Sequence, residues 1–167
     1  SAFYTGEIAE AIVGAANSEP VAASMTLADL ANYETVVRDP ICRAWRDKTV
    51  CSAPPPSSGG VAQNMILGLY DAIKAERLAN GSNMSPDDML ATWVDAQRLA
   101  YADRDHYVAD ADFVTVPVDE LLDPRYISAR AAEAFAPDGR STPGDPGMVL
   151  NGEPMIVCLD FAARTGA

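Results

Sequence analysis

The chain has 167 residues and 17.7 kDa, the size of one domain, and can bury about two-thirds of the surface its unfolded form exposes. Hydrophobic residues at 49% and charged residues at 22% exclude wholesale disorder, and 24 acidic against 12 basic side chains give −12, a field that repels nucleic acid and anionic lipid. No apolar run approaches the roughly 18 residues of a membrane span, and the start lacks the basic and apolar segments of a signal peptide, so the compartment stays open.

Phe3 to Val13 reads as a short helix with Thr5 at the N-cap, Glu7 in the first turn, and Ile8 and Ile12 on one face. Asn17 to Ser24 is a polar link. Thr26-Leu27-Ala28-Asp29 has the capping-box pattern and opens a helix that ends near Tyr33. From residue 34 to 53 the period changes. Val36, Val37, Ile41, Trp45, Val50 and Cys51 form a β-rich run turned at Arg46-Asp47-Lys48, with Pro40 at an edge or a bulge. Pro54 to Gly60 is barred from helix and central strand. A helix over 58–74 then carries Ala62, Met65, Ile66, Leu69 and Ile73 on one stripe, and Asn80-Gly81-Ser82 ends it.

Ser85, Pro86, Asp87 and Asp88 open the clearest helix, with Met89, Trp93, Ala96 and Ala100 recurring through about residue 105. Asp123-Pro124 starts another helix running to Phe135. Residues 136–147 read as a Pro/Gly loop, and Asn151-Gly152 as a hairpin signal leading into a strand from Met155 to Leu159. Mixed elements without strict alternation predict a helix-rich α/β or α+β fold in a single domain, 1–167.

Cys42, Cys51 and Cys158 are odd in number and lack CxxC spacing, and with His106 the sole histidine no four-ligand zinc set exists. Cys42 and Cys51 are placed to pair across the predicted hairpin, although buried free thiols are the ordinary reading. Gly59-Gly60 at a helix start either holds an anion or lets the helix pack closely. A nucleotide P-loop is excluded, because Val61-Ala62 stand where Lys and Ser/Thr belong. Ser57 and Ser58 lie outside a G-x-S-x-G elbow, and His106 lies far along the chain. Asp103, Asp105, Asp110 and Asp112 lack the Gly and closing Glu of an EF-hand and read as a solvated acidic loop. No metal or cofactor is expected.

In order, Phe3-Tyr4-Thr5-Gly6-Glu7-Ile8-Ala9, Met25-Thr26-Leu27-Ala28-Asp29-Leu30-Ala31-Asn32-Tyr33, and Arg38, Pro40 and Ile41 are similar to motifs of one enzyme family. So are Pro54-Pro55-Pro56-Ser57-Ser58-Gly59-Gly60, Tyr101-Ala102-Asp103-Arg104 and Asp110-Ala111-Asp112-Phe113-Val114, with Ala109 where a Gly is usual. Pro117-Val118, Leu121-Leu122 and Tyr126 follow in the same order. Over roughly residues 3–135 the chain resembles the C-terminal portion of the large subunit of the gamma-glutamyltransferase (glutathione hydrolase) family. The resemblance implies part of an N-terminal-nucleophile hydrolase αββα sandwich. It also implies a precursor that cuts itself, freeing a small-subunit Thr whose own α-amine acts as base on γ-glutamyl amides.

Residues 136–167 form a divergent tail. If Met155-Ile156-Val157-Cys158-Leu159-Asp160 is the family strand, Glu153-Pro154 stand where the nucleophile belongs; otherwise the tail diverges before that point. Either way no catalytic residue is assigned, and Pro54, Pro55, Pro56, Ser57, Ser58, Gly59 and Gly60 are read as a loop-shaping motif. The expected partners are γ-glutamyl small molecules in an intact enzyme, the other large-subunit half, the small subunit, and further copies of the chain. A non-catalytic scaffold and a cephalosporin-type acylase are the alternatives.

Overall fold

Gly6 splits the first helical run. The computed structural model describes residues 2–136 and 139–155. In it, α1 (Ala2–Thr5) stops at Gly6, which takes the N-cap of α2 (Glu7–Ala16) in place of the expected Thr5. A Cβ at residue 6 would lie 2.9 Å from the Ala2 Cα, so the chain's close return requires glycine and breaks the predicted single helix. Ala9 is the buried residue of α2, while Ile8 is 46% exposed. The Asn17 side chain closes the following link, donating to the Met25 carbonyl at 2.7 Å and accepting from its N–H at 3.1 Å. α3 (Leu27–Ala31) begins with the expected capping box: Thr26 N–H donates to Asp29 Oδ2 at 2.7 Å, and Asp29 N–H to Thr26 Oγ1 at 3.3 Å. These elements, up to Val37, form one compact unit, and the chain from Arg38 forms another.

In the second unit Pro40 supplies no ladder N–H, and the sheet starts only after it. β1 (Ile41–Trp45) pairs antiparallel with β2 (Lys48–Ser52), Ile41 opposite Ser52 and Trp45 opposite Lys48. Val36 and Val37, expected in the β run, lie outside any strand and are 59% and 94% exposed. Lys48 belongs to the strand, leaving Arg46-Asp47 as the loop. Arg46 adopts a left-handed φ of 54°, with its guanidinium over the Trp45 ring at 4.3 Å and bonded to Asp71 at 2.7 Å. Cys42 and Cys51 face each other in register and are joined by a disulfide, which corrects the reading of both as free thiols. Cys158 lies outside the described residues.

α4 (Gly59–Ala79) begins on the glycines themselves and outlasts the predicted 58–74, ending at Asn80 before Gly81, whose φ is 78°. Val61, Met65, Leu69 and Ile73 are its buried stripe. Each such apolar side chain, fully buried, contributes about 1.5–3 kcal/mol. α5 (Pro86–Tyr107) has the expected Ser85 cap and Pro86 start. Its buried face carries Thr92, Ala96, Leu99, Ala100, Asp103 and Tyr107, so Met89 and Trp93 sit at its edge, 40% and 37% exposed. α6 (Val118–Leu121) and α7 (Pro124–Ala131) close the core with Leu121, Leu122, Tyr126 and Ile127.

α7 ends at Ala131, short of the predicted Phe135, which itself turns to φ 60°. The Asp95 carboxylate accepts the Phe135 N–H, and the Arg77 guanidinium lies 4.7 Å from its ring centroid. Residues 139–145 are irregular, as the loop reading expects, but the stretch after them, read as the loop's end and a hairpin, is α8 (Pro146–Asn151). Asp145 caps it, Pro146 occupies the first position, and Gly152, φ 76°, ends it. Asn-Gly supplies the left-handed residue that a hairpin turn and a helix C-terminus both require, and here the helix takes it. Beyond Met155 the predicted strand lies outside the described residues. Among the described residues the sheet layer consists of the β1–β2 hairpin, and helices supply most of the core.

Candidate functional site

Two segments of the second unit bring family-like motifs into contact. The first is the Pro-Ser-Gly loop. Ser57 N–H donates to the Pro54 carbonyl at 3.0 Å, Gly60 N–H to the Ala53 carbonyl at 2.9 Å, and Gly59 N–H to Ser57 Oγ at 3.3 Å. Pro55 and Gly60 are buried, Pro54, Ser58 and Gly59 half-buried, and Pro56 and Ser57 exposed. A Cβ at residue 60 would fall 2.5 Å from the Ala53 carbonyl oxygen and 3.1 Å from the Ile41 side chain. Gly60 therefore lets α4 sit directly against β1, and the two glycine N–H groups that an anion would need are spent inside the loop. Asn64 Nδ2, buried, donates to the Gly60 carbonyl at 2.8 Å and fixes the first turn.

The second segment is built around Asp103, which the sequence places among the acids of a solvated loop. The structure buries it completely in α5. Its Oδ2 accepts from Tyr126 Oη at 2.9 Å and Arg130 Nε at 3.1 Å, and its Oδ1 accepts from the Gly144 N–H at 2.8 Å. Tyr107 Oη donates to the Gly144 carbonyl at 2.6 Å, and Arg130 Nη2 to the Thr142 carbonyl at 2.8 Å. A Cβ on Gly144 would lie 2.4 Å from the Tyr126 hydroxyl. Helices α5 and α7 thus clamp the backbone of residues 142–144 with buried charge. Burial works against the Arg130 charge, but Asp103 and then Glu133 outweigh it and hold the guanidinium more firmly protonated than usual. Burial, then Asp145 and Asp103, push the Tyr107 hydroxyl up to about 12. Tyr126 is raised by burial and by Asp103. These groups hold the backbone of residues 142–144 in place.

The other sequence candidates stay apart. Asp105 pairs with Arg104, and Asp112 with Arg38 at 2.6 Å, which joins the R-x-P-I and acidic motifs. Asp110 caps its own turn through the Asp112 N–H. His106 is exposed in the last turn of α5, its ring edge against Tyr107. Arg43, Trp45, Asn64, Gly68, Leu122 and Ile127 line a cleft of about 510 Å³. Asn64 and Arg43 are already bonded within the protein, and Trp45 Nε1 has no partner among the described residues. The buried cluster does leave a trace in the sequence. Ala96, Leu99, Ala100, Asp103 and Tyr107 share one helical stripe, and Tyr126 and Arg130 are four apart beside Ile127 and Ala131.

Residues 1–144 match the family model described as Gamma-glutamyltranspeptidase. A Pseudomonas aeruginosa glutathione hydrolase proenzyme is 35% identical over 148 residues, which cover 85% of this chain and 26% of the relative. An acylase proenzyme, ACY 1, of Pseudomonas sp. strain SE83 is 37% identical over 105 residues, 63% of this chain and 18% of that protein. The crystal structure of Helicobacter pylori gamma-glutamyltranspeptidase superposes with a TM-score of 0.66 at 32% identity, covering 92% of this chain and 43% of that one. The chain thus spans about a quarter or less of the length of these two curated relatives.

Proposed function

The chain belongs to the gamma-glutamyltranspeptidase family, and from that premise we propose that it is the helical part of an enzyme that hydrolyses or transfers the γ-glutamyl group of glutathione and related amides. Its fold is a helix-rich portion of the family's N-terminal-nucleophile hydrolase architecture. The reading takes the family mechanism for the whole enzyme. A Thr hydroxyl attacks the γ-glutamyl carbonyl while its own α-amine takes the proton. The amide C–N bond breaks, the amine leaves, and water or an acceptor amine then takes the glutamyl group.

This chain's contribution is positional. The observation that supports it best is the clamp on residues 142–144, because the family match ends at residue 144, where Asp103 receives the backbone N–H. We assign the chain no catalytic residue. If Met155 to Asp160 is the family strand, Glu153-Pro154 stands where the nucleophile belongs, and a carboxylate without a free α-amine performs neither the self-cleavage nor the acylation; otherwise the tail diverges before that point. The nucleophile, the substrate cation and the oxyanion donors then come from other segments.

The acylase relative favours a second reading, an enzyme of the same family acting on a cephalosporin-type amide. Without its partner segments the chain should also self-associate through exposed apolar residues such as Leu90, Val94 and Tyr101 of α5. Light scattering checks this, and a clean monomer near 17.7 kDa contradicts it. A segment exchange tests the function. Residues 1–144, placed in the Pseudomonas aeruginosa relative over the matching stretch, should give a protein that cuts itself and releases dye from a γ-glutamyl anilide. Turnover of a cephalosporin-type amide alone would favour the acylase. A folded hybrid that does neither would contradict both.

A further inference from the structure

The two faces of the hairpin have different surroundings. Ile41 packs beside Gly60, and Arg43 and Trp45 line the cleft against α4 and α7. Cys42, with its partner Cys51, alternates with these residues along the strands and lies on the opposite face. Cys51 is exposed and Cys42 half-buried. The Cα atoms of this pair are 4.1 Å apart, the close spacing at which facing side chains approach most nearly.

A two-stranded sheet has little stability of its own. Here the covalent tie sits one residue short of the terminal pair Ile41–Ser52, at the open end away from the Arg46-Asp47 turn. Ser52 leads into Ala53, whose carbonyl holds the Gly60 N–H. The disulfide is thus two residues from the hydrogen bond that seats the start of α4. The hairpin's charged ties, Arg43–Asp119 and Arg46–Asp71, are substantially exposed and hold it weakly.

We propose that the Cys42–Cys51 bond is a thiol-exchange site, through which a small-molecule thiol releases the open end of the hairpin and the root of the Pro54–Gly60 loop. The proposal does not rest on the γ-glutamyl reading. An incoming thiolate attacks the sulfur of Cys51, the more exposed residue of the pair. The S–S bond breaks, a mixed disulfide forms on Cys51, and Cys42 leaves as a thiolate that takes up a proton. A second thiol attacks the mixed disulfide and departs as the small-molecule disulfide, so that two external thiols are oxidised while the protein gains two. In oxidising surroundings the hairpin stays stapled, and in thiol-rich surroundings it opens.

Amide hydrogen exchange on the full chain, oxidised and after reduction with glutathione, tests the proposal. Before reduction, alkylation under denaturing conditions should label Cys158 alone of the three cysteines, and after reduction all of them. The amides of residues 49–53 and of Gly60 should exchange about tenfold faster in the reduced chain, since cross-links act by limiting the open states of the loop they close. Leu99 and Ala100 in α5 should be unchanged. The double variant Cys42→Ser with Cys51→Ser should match the reduced chain and ignore glutathione. Three free thiols in the untreated protein, equal exchange in both redox states, or equal acceleration of α5 would each overturn the proposal.

Discussion

The Pro54–Gly60 loop and the Thr142–Gly144 segment solve the same problem by opposite means. Each fixes a stretch of irregular backbone against helices, and each contains a glycine with no room for a Cβ. The first is held by bonds between near neighbours, Ser57 to Pro54 and Gly60 to Ala53. The second is held by buried side chains far away in sequence, Asp103 being 41 residues from Gly144 and Tyr107 37. Local turn chemistry needs only the right residues in a row, whereas a long-range polar clamp needs helices already packed. The first segment should therefore fail locally and the second should fail with the core around it.

Removing one half of the buried Asp103–Arg130 pair should have the largest effect. Arg130→Ala leaves the Asp103 carboxylate without its cation at a site no more than 1% exposed and should cost on the order of 3–5 kcal/mol by denaturant titration, whereas Asp103→Ala leaves Arg130 its pair with Glu133 and should cost less. Replacing both, Asp103→Leu with Arg130→Met, should cost less than either single change. Additive losses would show that the two groups do not act as a unit.

Gly60→Ala and Gly144→Ala should each cost about 1–3 kcal/mol, because both demand that close neighbours move. The reach of the two changes should differ. The first should speed exchange only around residues 53–62, and the second should also loosen Tyr107 and Tyr126. Gly59→Ala, which meets only the Ser52 and Ser57 hydroxyls at 3.3 and 3.4 Å, should be nearly neutral.

This contrast also separates what was legible in the sequence from what was not. The capping box at Thr26, the Ser85 cap and, apart from Lys48 and Ile66, the hairpin turn and the α4 stripe depend on spacings of a few residues, and the structure places them where that spacing does. Asp103 was misassigned because composition groups it with Asp105, Asp110 and Asp112. Only its register with Leu99 and Tyr107 puts it inside. Asn151-Gly152 was misread because one left-handed glycine serves two kinds of terminus. Arg130 looks like any basic residue late in a helix until Asp103 is known to face it.

A smaller effect comes from pH. The Tyr107 hydroxyl, raised from an ordinary 10.0 to about 12 by burial and then by Asp145 and Asp103, is favoured in its neutral form by the fold. That contribution is complete below pH 10 and is lost as pH rises through 12. Ultraviolet titration should show Tyr107 ionising late. Tyr107→Phe should remove that step and cost about 1 kcal/mol at neutral pH, the net value of one hydrogen bond. Ionisation of Tyr107 at its ordinary pH would place it outside the clamp.

We propose that this chain positions a γ-glutamyl site without carrying its nucleophile, and the most direct measurement is on the purified chain alone. Intact mass combined with a chromogenic γ-glutamyl anilide should show one uncut chain of 17.7 kDa and no dye release above buffer. Saturable release that survives repurification and is abolished by a Thr-directed inhibitor would contradict the claim and point to a threonine such as Thr142 or Thr165.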